Sequence, residues 1–578
     1  MRIVTARRIS QGFFLALFVW FCIAATVGAK WWQLRGWPIN WFLSLDPLTA
    51  LATLLSTHTL YAPLLWAVGT IVLTAVLGRF FCGFVCPLGT LNQFAGWLSR
   101  RSLPRLRRVR VNAPHRLQGI KYVILTFFLV LAALGSVQTG LLDPLPLLHR
   151  SVNLTVLALA DKTTLVLSDV PRAYESAWLL GAVLVAILAL NAVIPRFFCR
   201  FVCPLGALFS LFGRFAPARI GKRAAGKCGD CRLCEEHCEG GCRPSGEIIT
   251  GDCLMCMNCL DSCPSGRIGF SAHASATGET PFAPVSRRAV LGAAAAGALT
   301  APLWTVGALA GTNRNASLIR PPGALDEERF LTRCIRCGQC MRACPSNIIQ
   351  PSLLESGVQG LWTPALNFRI GRSGCQVNCV ACGNVCPTSA IRPLSLEEKH
   401  GTDAFADKGP VRLGLAFVDR ARCLPWAMNR PCIVCQELCP VSPKAIYTRI
   451  TFETVRDGRI PVARIQGNIL ELAAPPPIGR NLGSGDYAVR ALTPNAPPRR
   501  ILLHSKQSFT LEPPPAGWSD PAPNDTMEIA VRLQRPRVDA ARCTGCGMCE
   551  HECPVSGLRA IRVYAENESR SPNAKMTI

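Results

Sequence analysis

No Cys-x-x-Cys-His pair occurs in the 578 residues, so covalently attached haem is excluded. A glycine-rich nucleotide loop and a flavin motif are also missing, which argues against direct oxidation of a reduced nicotinamide. Acid is scarce: 36 Asp and Glu face 62 Lys and Arg, for a net charge of +26. Such an excess suggests nucleic acid as a partner, but its placement argues otherwise. Between Cys82 and Lys121 there are eight Lys or Arg and no acid. That bias marks a cytoplasmic membrane loop, so no nucleic-acid partner is expected. Charge is nearly absent from five stretches, about 11–29, 61–81, 121–141, 177–198 and 289–310. Each is close to the roughly 20 residues that a bilayer core requires.

Basic flanks orient these stretches. Arg2, Arg7 and Arg8 precede the first, Arg100 to Lys121 follow the second, and Arg214, Arg219, Lys222, Arg223 and Lys227 follow the fourth. These segments belong inside, and the Lys/Arg-poor loops 31–60 and 142–176 outside, with Trp31, Trp32, Trp37 and Trp41 suited to an outer aromatic belt. The fifth stretch opens with Ser286, Arg287, Arg288 and Leu291 and ends on Ala310. It fits an internal twin-arginine export signal with a small-residue cleavage site, or a plain stop-transfer anchor. Either reading puts 312–578 outside.

The first four stretches repeat. "RFFCGFVCPLG" at 79–89 returns as "RFFCRFVCPLG" at 196–206, and "SLDPL" at 44–48 is echoed by "LLDPL" at 141–145. The expected fold is therefore a membrane α-helical domain of four helices in a two-fold repeat plus a fifth anchor helix. On a helix Cys82 and Cys86 share a face, as do Cys199 and Cys203. Two-fold symmetry would converge the four thiols on one redox or metal site suited to iron, an iron–sulfur cluster or zinc. The plain alternative is a Cys-Pro-Leu-Gly turn out of the membrane with inert thiols.

Cysteine is abundant, with 30 in the chain. The tight spacing of most of them is ligand spacing rather than that of a disulfide framework. Cys334, Cys337, Cys340 and Cys344 form C-x2-C-x2-C-x3-C followed by Pro345, the run that holds a 4Fe–4S cluster with three thiolates and sends the fourth to a second cluster. Cys543, Cys546, Cys549 and Cys553 repeat it, as do Cys253, Cys256, Cys259 and Cys263. Cys228, Cys231, Cys234 and Cys238 keep the spacing but lack the proline, which leaves Cys238 or Cys242 as the fourth ligand. Cys375, Cys379, Cys382 and Cys386 open with a wider gap, and Cys423, Cys432, Cys435 and Cys439 with a wider one still. Six quartets imply six 4Fe–4S clusters, and five terminal Cys-Pro pairs disfavour zinc. Cys22 reads as an apolar filler.

Adjacent quartets 228–238 and 253–263 should share one cytoplasmic two-cluster domain. By analogy with four-cluster electron-transfer subunits, the outer quartets should nest, the first with the last and the two modified runs together. The expected domains are 1–215, the membrane domain; 216–275, the cytoplasmic two-cluster domain; 276–311, the signal or anchor helix; and 312–578, the outer four-cluster domain. Both cluster domains would be α+β and bacterial ferredoxin-like. An insert at about 455–530, rich in Pro and Gly with β-like runs such as "VARIQGNILEL", is either a docking element or a decorated loop.

"RRISQ" at 7–11, the two C-x3-CP motifs and the adjacent ferredoxin runs resemble NapH, the membrane polyferredoxin of periplasmic nitrate reductase systems. "RPPGA" at 320–324 and "CIRCGQCMRACP" at 334–345 resemble NapG, its exported four-cluster partner, and the methylamine-utilisation ferredoxins are similar. The chain thus resembles a NapH–NapG fusion in a bacterial inner membrane. The resemblance implies oxidation of quinol from the membrane pool and delivery of electrons to a periplasmic reductase, often through a cytochrome c. A quinol site needs a proton acceptor near the outer edge. Asp46, His58, Asp143 and His149 are the candidates, although Asp46 and Asp143 precede proline and also read as turn formers. A non-catalytic relay or scaffold, or a maturation factor for a partner metalloenzyme, are the other functions these residues allow.

Overall fold

The computed structural model describes residues 3–27, 39–101, 103–164, 172–223, 228, 231–309, 315–476, 481–493 and 496–570. Trp31, Trp32, Trp37 and Ala310 lie outside the described residues. The chain forms two compact units, Met1–Gly371 with Asn378–Val411, and Arg372–Val377 with Arg412–Ile578. The expected boundary near 312 is not where the units part: Cys334 to Cys344 share a unit with the apolar helices.

Nine helices carry the argument in the first unit: α1 (Ile3–Val27), α2 (Pro47–Thr57), α3 (Trp66–Leu77), α4 (Pro87–Arg100), α5 (Ile120–Ala133), α6 (Pro144–Ser151), α7 (Ala177–Ala189), α8 (Pro204–Gly213) and α9 (Arg287–Leu309). Both repeated tetrapeptide signatures are helix starts. The Asp46 carboxylate accepts from the Leu48 (3.0 Å) and Thr49 (3.4 Å) amides with Pro47 in the first turn, and Asp143 accepts from the Leu145 amide (3.4 Å) ahead of Pro144. Cys86 Sγ accepts from Gly89 N at 3.4 Å and Cys203 Sγ from Gly206 N at 3.2 Å, again with proline next in line. Side-chain acceptor and proline together satisfy and pre-form the first turn.

The five equal spans expected from hydropathy are not what the backbone forms. Ile3–Ala25 and Arg105–Ala133 are long and apolar enough to cross a membrane by length and composition, whereas Ala62–Leu77 and Ala177–Ala192 are shorter. The span expected to reach residue 81 stops at Leu77 because Gly78 turns to φ +70°. The fifth stretch is a 23-residue helix, α9, with Pro302 inside it, packed on α5.

The short helices pair crosswise. α8, from the second repeat, packs on α2, α3 and α5; α4, from the first, packs on α1, α6 and α7. Asn191 Nδ2 joins the two repeats through Asn92 Oδ1 at 2.7 Å. The two ends of α1 meet different cysteine runs. Arg7 Nη2 donates to Asn258 Oδ1 (2.9 Å) at one end, while Cys22 lies 3.8 Å from His149 Nδ1, itself 3.3 Å from Gln339 Nε2, at the other. Fifteen residues of helix separate these contacts by ~22 Å.

Each pair of cysteine runs is closed by the strand that enters it and the strand that leaves it. Arg219–Lys222 pairs antiparallel with Ile268–Ser271 around the quartets 228–263. Ala324 bridges Ile391 around 334–386, and in the second unit Leu415–Val418 pairs with Ile561–Tyr564 around 423–553. This overturns the nested pairing: 334–344 belongs with 375–386, and 423–439 with 543–553. A strand closure links runs that are neighbours in the chain, which nesting would not allow.

The insert is a folded element of the second unit. Strands β1 (Ile446–Gln466), β2 (Ile469–Leu472), β3 (Tyr487–Ala491), β4 (Arg499–His504), β5 (Ser508–Leu511) and β6 (Thr526–Val538) close a barrel in the order β3-β4-β5-β2-β1-β6. Leu470, Ile501, Phe509, Leu511 and Ile529 fill it and are fully buried. Closure leaves no edge strand exposed for pairing. Replacing Ile501 by alanine should therefore cost about 2–5 kcal/mol of barrel stability, read from thermal unfolding followed at Trp518, with iron content unchanged. A loss below about 1 kcal/mol would mean that the barrel has no packed core of its own.

Candidate functional site

The thiols of paired runs interleave. Cys259 has Cys253, Cys256 and Cys238 as electrostatic neighbours, and Cys234 has Cys228 and Cys263. Cys238 thus sits with thiols of the second run, and Cys263 with Cys234 of the first. Cys386 stands beside Cys334, Cys337 and Cys340. In the second unit Cys553 stands beside Cys423, Cys432 and Cys435, and Cys439 beside Cys543, Cys546 and Cys549. Cys375 belongs to the second unit, where its amide donates to the Cys546 carbonyl at 2.7 Å. Cys344, Cys379 and Cys382 lie in the first unit. Cys231 is exposed.

Cys238 and Cys242 stand together, Sγ to Sγ 3.2 Å, and both neighbour Cys253. Cys238 is also an electrostatic neighbour of Cys256 and Cys259.

The residues present fit 4Fe–4S clusters. Burial pushes the Cys256 and Cys546 thiols up to about 12, so without a metal they would stay protonated and inert. Arg7 is fully buried with Nε and Nη1 lacking any acceptor, and Cys256 is among its electrostatic neighbours. The Arg150 Nε is similarly orphaned, with Cys334 and Cys337 as neighbours of its guanidinium. Inorganic sulfide would give such donors an acceptor. Among the described residues no three Cys, His, Asp or Glu converge closely enough to hold a single ion. In a cluster each thiolate binds a different iron, so its ligands need not converge on one atom.

Cys82, Cys86, Cys199 and Cys203 are brought together. Cys86 has Cys82 and Cys199 as neighbours, and Cys203 has Cys199, Cys82 and Cys86. The arginine that opens each motif reaches the other copy. A Cβ on Gly206 would lie 2.6 Å from Arg79 Nη2, and Arg196 Nη1 donates to the Cys82 carbonyl at 3.4 Å. Buried partners hold these arginines: Arg196 pairs with Glu239 at 2.9 Å, and Arg79 donates to the Gly251 carbonyl at 3.0 Å near the Lys121–Asp252 pair. The one mismatch between the copies has a structural cause. A side chain at Gly83 would collide with the Leu254 carbonyl, whereas Arg200 donates to the Val111 (3.2 Å) and Ala113 (2.6 Å) carbonyls.

The four candidate proton acceptors separate. Asp46 and Asp143 are fully buried electrostatic neighbours; the Thr49 hydroxyl donates to Asp46 Oδ2 at 3.1 Å, and Asp143 Oδ2 has no partner among the described residues. Two buried carboxyl groups side by side disfavour double ionisation, which favours one proton shared by the pair. They are turn formers and a carboxyl pair at once. His149 is also buried, its ring 4.6 Å from Phe18 and its Nε2 without a partner. His58 is exposed at the left-handed end of α2, away from that pair's buried setting. Arg7 stood in the sequence only as a basic flank and the first residue of "RRISQ", and its contact with the inner cysteine runs was not foreseen. Its only signal was its place one helical turn before Gln11, which donates to the Gly83 carbonyl at 2.7 Å.

If Cys238 completes the set with Cys253, Cys256 and Cys259, Cys238→Ser should remove about four iron atoms per chain while Cys242→Ser leaves the iron content unchanged. Anaerobic iron assay of the two variants checks this, and equal loss in both would make the thiols interchangeable.

The description "4Fe-4S binding domain" matches residues 59–105 and 176–223, which carry the two C-x3-CP motifs. "4Fe-4S dicluster domain" matches 333–391, in agreement with the adjacent pairing, and a further "4Fe-4S binding domain" matches 536–559. No solved structure matches. An uncharacterized protein of Methanocaldococcus jannaschii is 32% identical over 209 residues, 36% of this chain and 70% of that protein. The putative electron transport protein YccM of Escherichia coli is 28% identical over 287 residues, 48% of this chain and 76% of its own length. The ferredoxin-type protein NapG of Escherichia coli is 37% identical over 143 residues, 24% of this chain and 54% of its own length. The shared cysteine runs and the matched domains show a protein with 4Fe–4S ferredoxin domains that belongs to the family of this Methanocaldococcus jannaschii protein, and its further relatives include electron-transport and ferredoxin-type proteins.

Proposed function

We propose that the chain is a membrane-bound electron carrier that oxidises quinol and passes the electrons to a periplasmic reductase, directly or through a cytochrome c. It would combine a NapH-like half and a NapG-like half in one polypeptide, with a four-helix two-fold membrane domain and α9 as a further anchor. The observation that carries this reading is the placement of cluster-type thiol sets at both ends of the same helices: Asn258 beside Arg7 of α1, and Gln339 with His149 beside Cys22 of α1. A membrane crossing then separates an inner cysteine module from an outer one.

Bound at these thiols, 4Fe–4S clusters supply one-electron acceptors and donors. By the same cross-run rule Cys344 would serve with Cys379 and Cys382, and Cys263 with Cys228, Cys231 and Cys234. The protein's own residues hold the thiols in place and handle protons. Oxidation of a quinol to a quinone releases two electrons and two protons. The buried pair Asp46–Asp143 would hold one proton and keep a carboxylate free to accept another. Thr49 and the first-turn amides of α2 and α6 orient the two groups. The four thiols Cys82, Cys86, Cys199 and Cys203, set at two helix N-termini and flanked by Arg79 and Arg196, form a further redox or metal site on the inner side.

Purified protein mixed anaerobically with a short-chain quinol should lose its oxidised-cluster absorbance. Asp46→Asn and Asp143→Asn should slow this reaction by roughly 10²–10⁴-fold, the usual contribution of a positioned proton acceptor, while reduction by dithionite proceeds as in the parent. Failure of quinol to reduce the parent protein would reject the quinol reading. Unchanged rates in both variants would reject the carboxyl pair alone.

A further inference from the structure

A cavity of about 770 Å³ lies where the start of α1 and the length of α4 meet the inner cysteine module. Its lining includes Arg8 on α1, Arg100 and Arg101 at the end of α4, and Arg108. Three carboxylates also line it, Glu236, Glu239 and Asp261. Glu236 lies 3.2 Å from both Arg105 and Arg108, and Glu239 lies 2.9 Å from Arg196 and 3.9 Å from Arg100. Six guanidiniums thus surround three acids. Among the described residues Arg8 and Arg101 have no ion pair, and Arg101 instead stands 5.8 Å over the Trp97 ring. The lining carries uncompensated positive charge.

The lip of the cavity is apolar. Phe94 is 61% and Trp97 51% exposed on α4, and next to them Leu98 is 58% exposed; Ile9 and Phe13 on α1 are 59% and 60% exposed. Large apolar side chains so exposed beside a basic recess fit a ligand with a negatively charged head and hydrocarbon tails. A quinol has the tail but a neutral head, which gives Arg8 and Arg101 nothing to neutralise. A free inorganic anion would use the arginines and leave the aromatic lip without a role.

We propose that this cavity binds the phosphate headgroup of an anionic phospholipid from the inner leaflet. The phosphate sits among Arg8 and Arg101, where guanidinium N–H pairs match its oxygens. The acyl chains run along Phe13, Phe94, Trp97 and Leu98. The lipid therefore bridges the seam between α1, α4 and the inner module. The assignment rests on the membrane-bound reading of α1.

The test uses the full chain, extracted from membranes and purified in a mild detergent. Co-purified lipid is quantified by mass spectrometry, and thermal stability is compared in nanodiscs of phosphatidylcholine alone and with phosphatidylglycerol or cardiolipin. The expected result is roughly tenfold enrichment of anionic over zwitterionic lipid, with a higher melting temperature in the anionic nanodiscs. Both effects should be lost in Arg8→Gln/Arg101→Gln and retained in Arg449→Gln/Arg456→Gln, which removes two exposed arginines of the second unit. Iron content equal to the parent's shows that a variant is folded. If the first variant loses iron, lipid enrichment in the parent decides alone. Equal stability in the two kinds of nanodisc, protection by inorganic phosphate equal to that by lipid, or displacement of the lipid by a short-chain quinol would each overturn the assignment. Release of the chain from membranes by alkaline carbonate would instead reject the membrane-bound reading.

Discussion

A thiolate removed from water costs more than a lone side chain can recover unless a metal or a cation stands beside it. This chain buries most of its cysteines among each other, and the architecture follows from what that requires. Thiols from two runs must meet in one place, so the chain has to return. The returns are short antiparallel strand pairs, Arg219–Lys222 with Ile268–Ser271 and Leu415–Val418 with Ile561–Tyr564. Once a return is fixed, the stretch between the two runs is free to grow. A closed six-stranded barrel therefore sits between Cys439 and Cys543 without separating the thiols that belong together.

The same need for compensation explains the charged interior of the first unit. Arg7, Arg79, Arg150, Arg196 and Arg336 are almost fully buried, and thiols are electrostatic neighbours of each. A positive net charge of +26 thus has two uses in this chain. Part of it flanks apolar segments, and part of it is buried, where negative clusters would otherwise stand alone. The crossed packing of α4 and α8 on the opposite repeats sets Arg79 and Arg196 against each other's motifs. Two separate, uncrossed units would leave each arginine beside its own cysteines only.

Much of the local chemistry was legible in the sequence. Asp-Pro and Cys-Pro read as turns, and the structure makes Asp46, Cys86, Asp143 and Cys203 helix caps. The hairpin in "VARIQGNILEL" was visible as β-like sequence, since Gly467 and Asn468 supply the turn between β1 and β2. Partnerships at long range were not legible. Spacing identifies a ligand run but says nothing of which run it meets; the Ala324–Ile391 bridge decides that. The barrel was hidden because Gly458 and Pro461 interrupt the alternation of β1 and the four strands β2 to β5 are only four to six residues long. Helix ends were hidden as well, since hydropathy continues through Gly78 while the backbone does not.

The central claim is that every quartet is an iron–sulfur site and that the runs work in adjacent pairs. Iron, acid-labile sulfide and zinc, measured together on anaerobically purified full-length protein, test it most directly. Six clusters predict about 24 iron and about 24 sulfide per chain, with any excess iron assigned to Cys82, Cys86, Cys199 and Cys203. Sixteen iron atoms or fewer in an undamaged sample, or zinc in stoichiometric amount, would contradict the account.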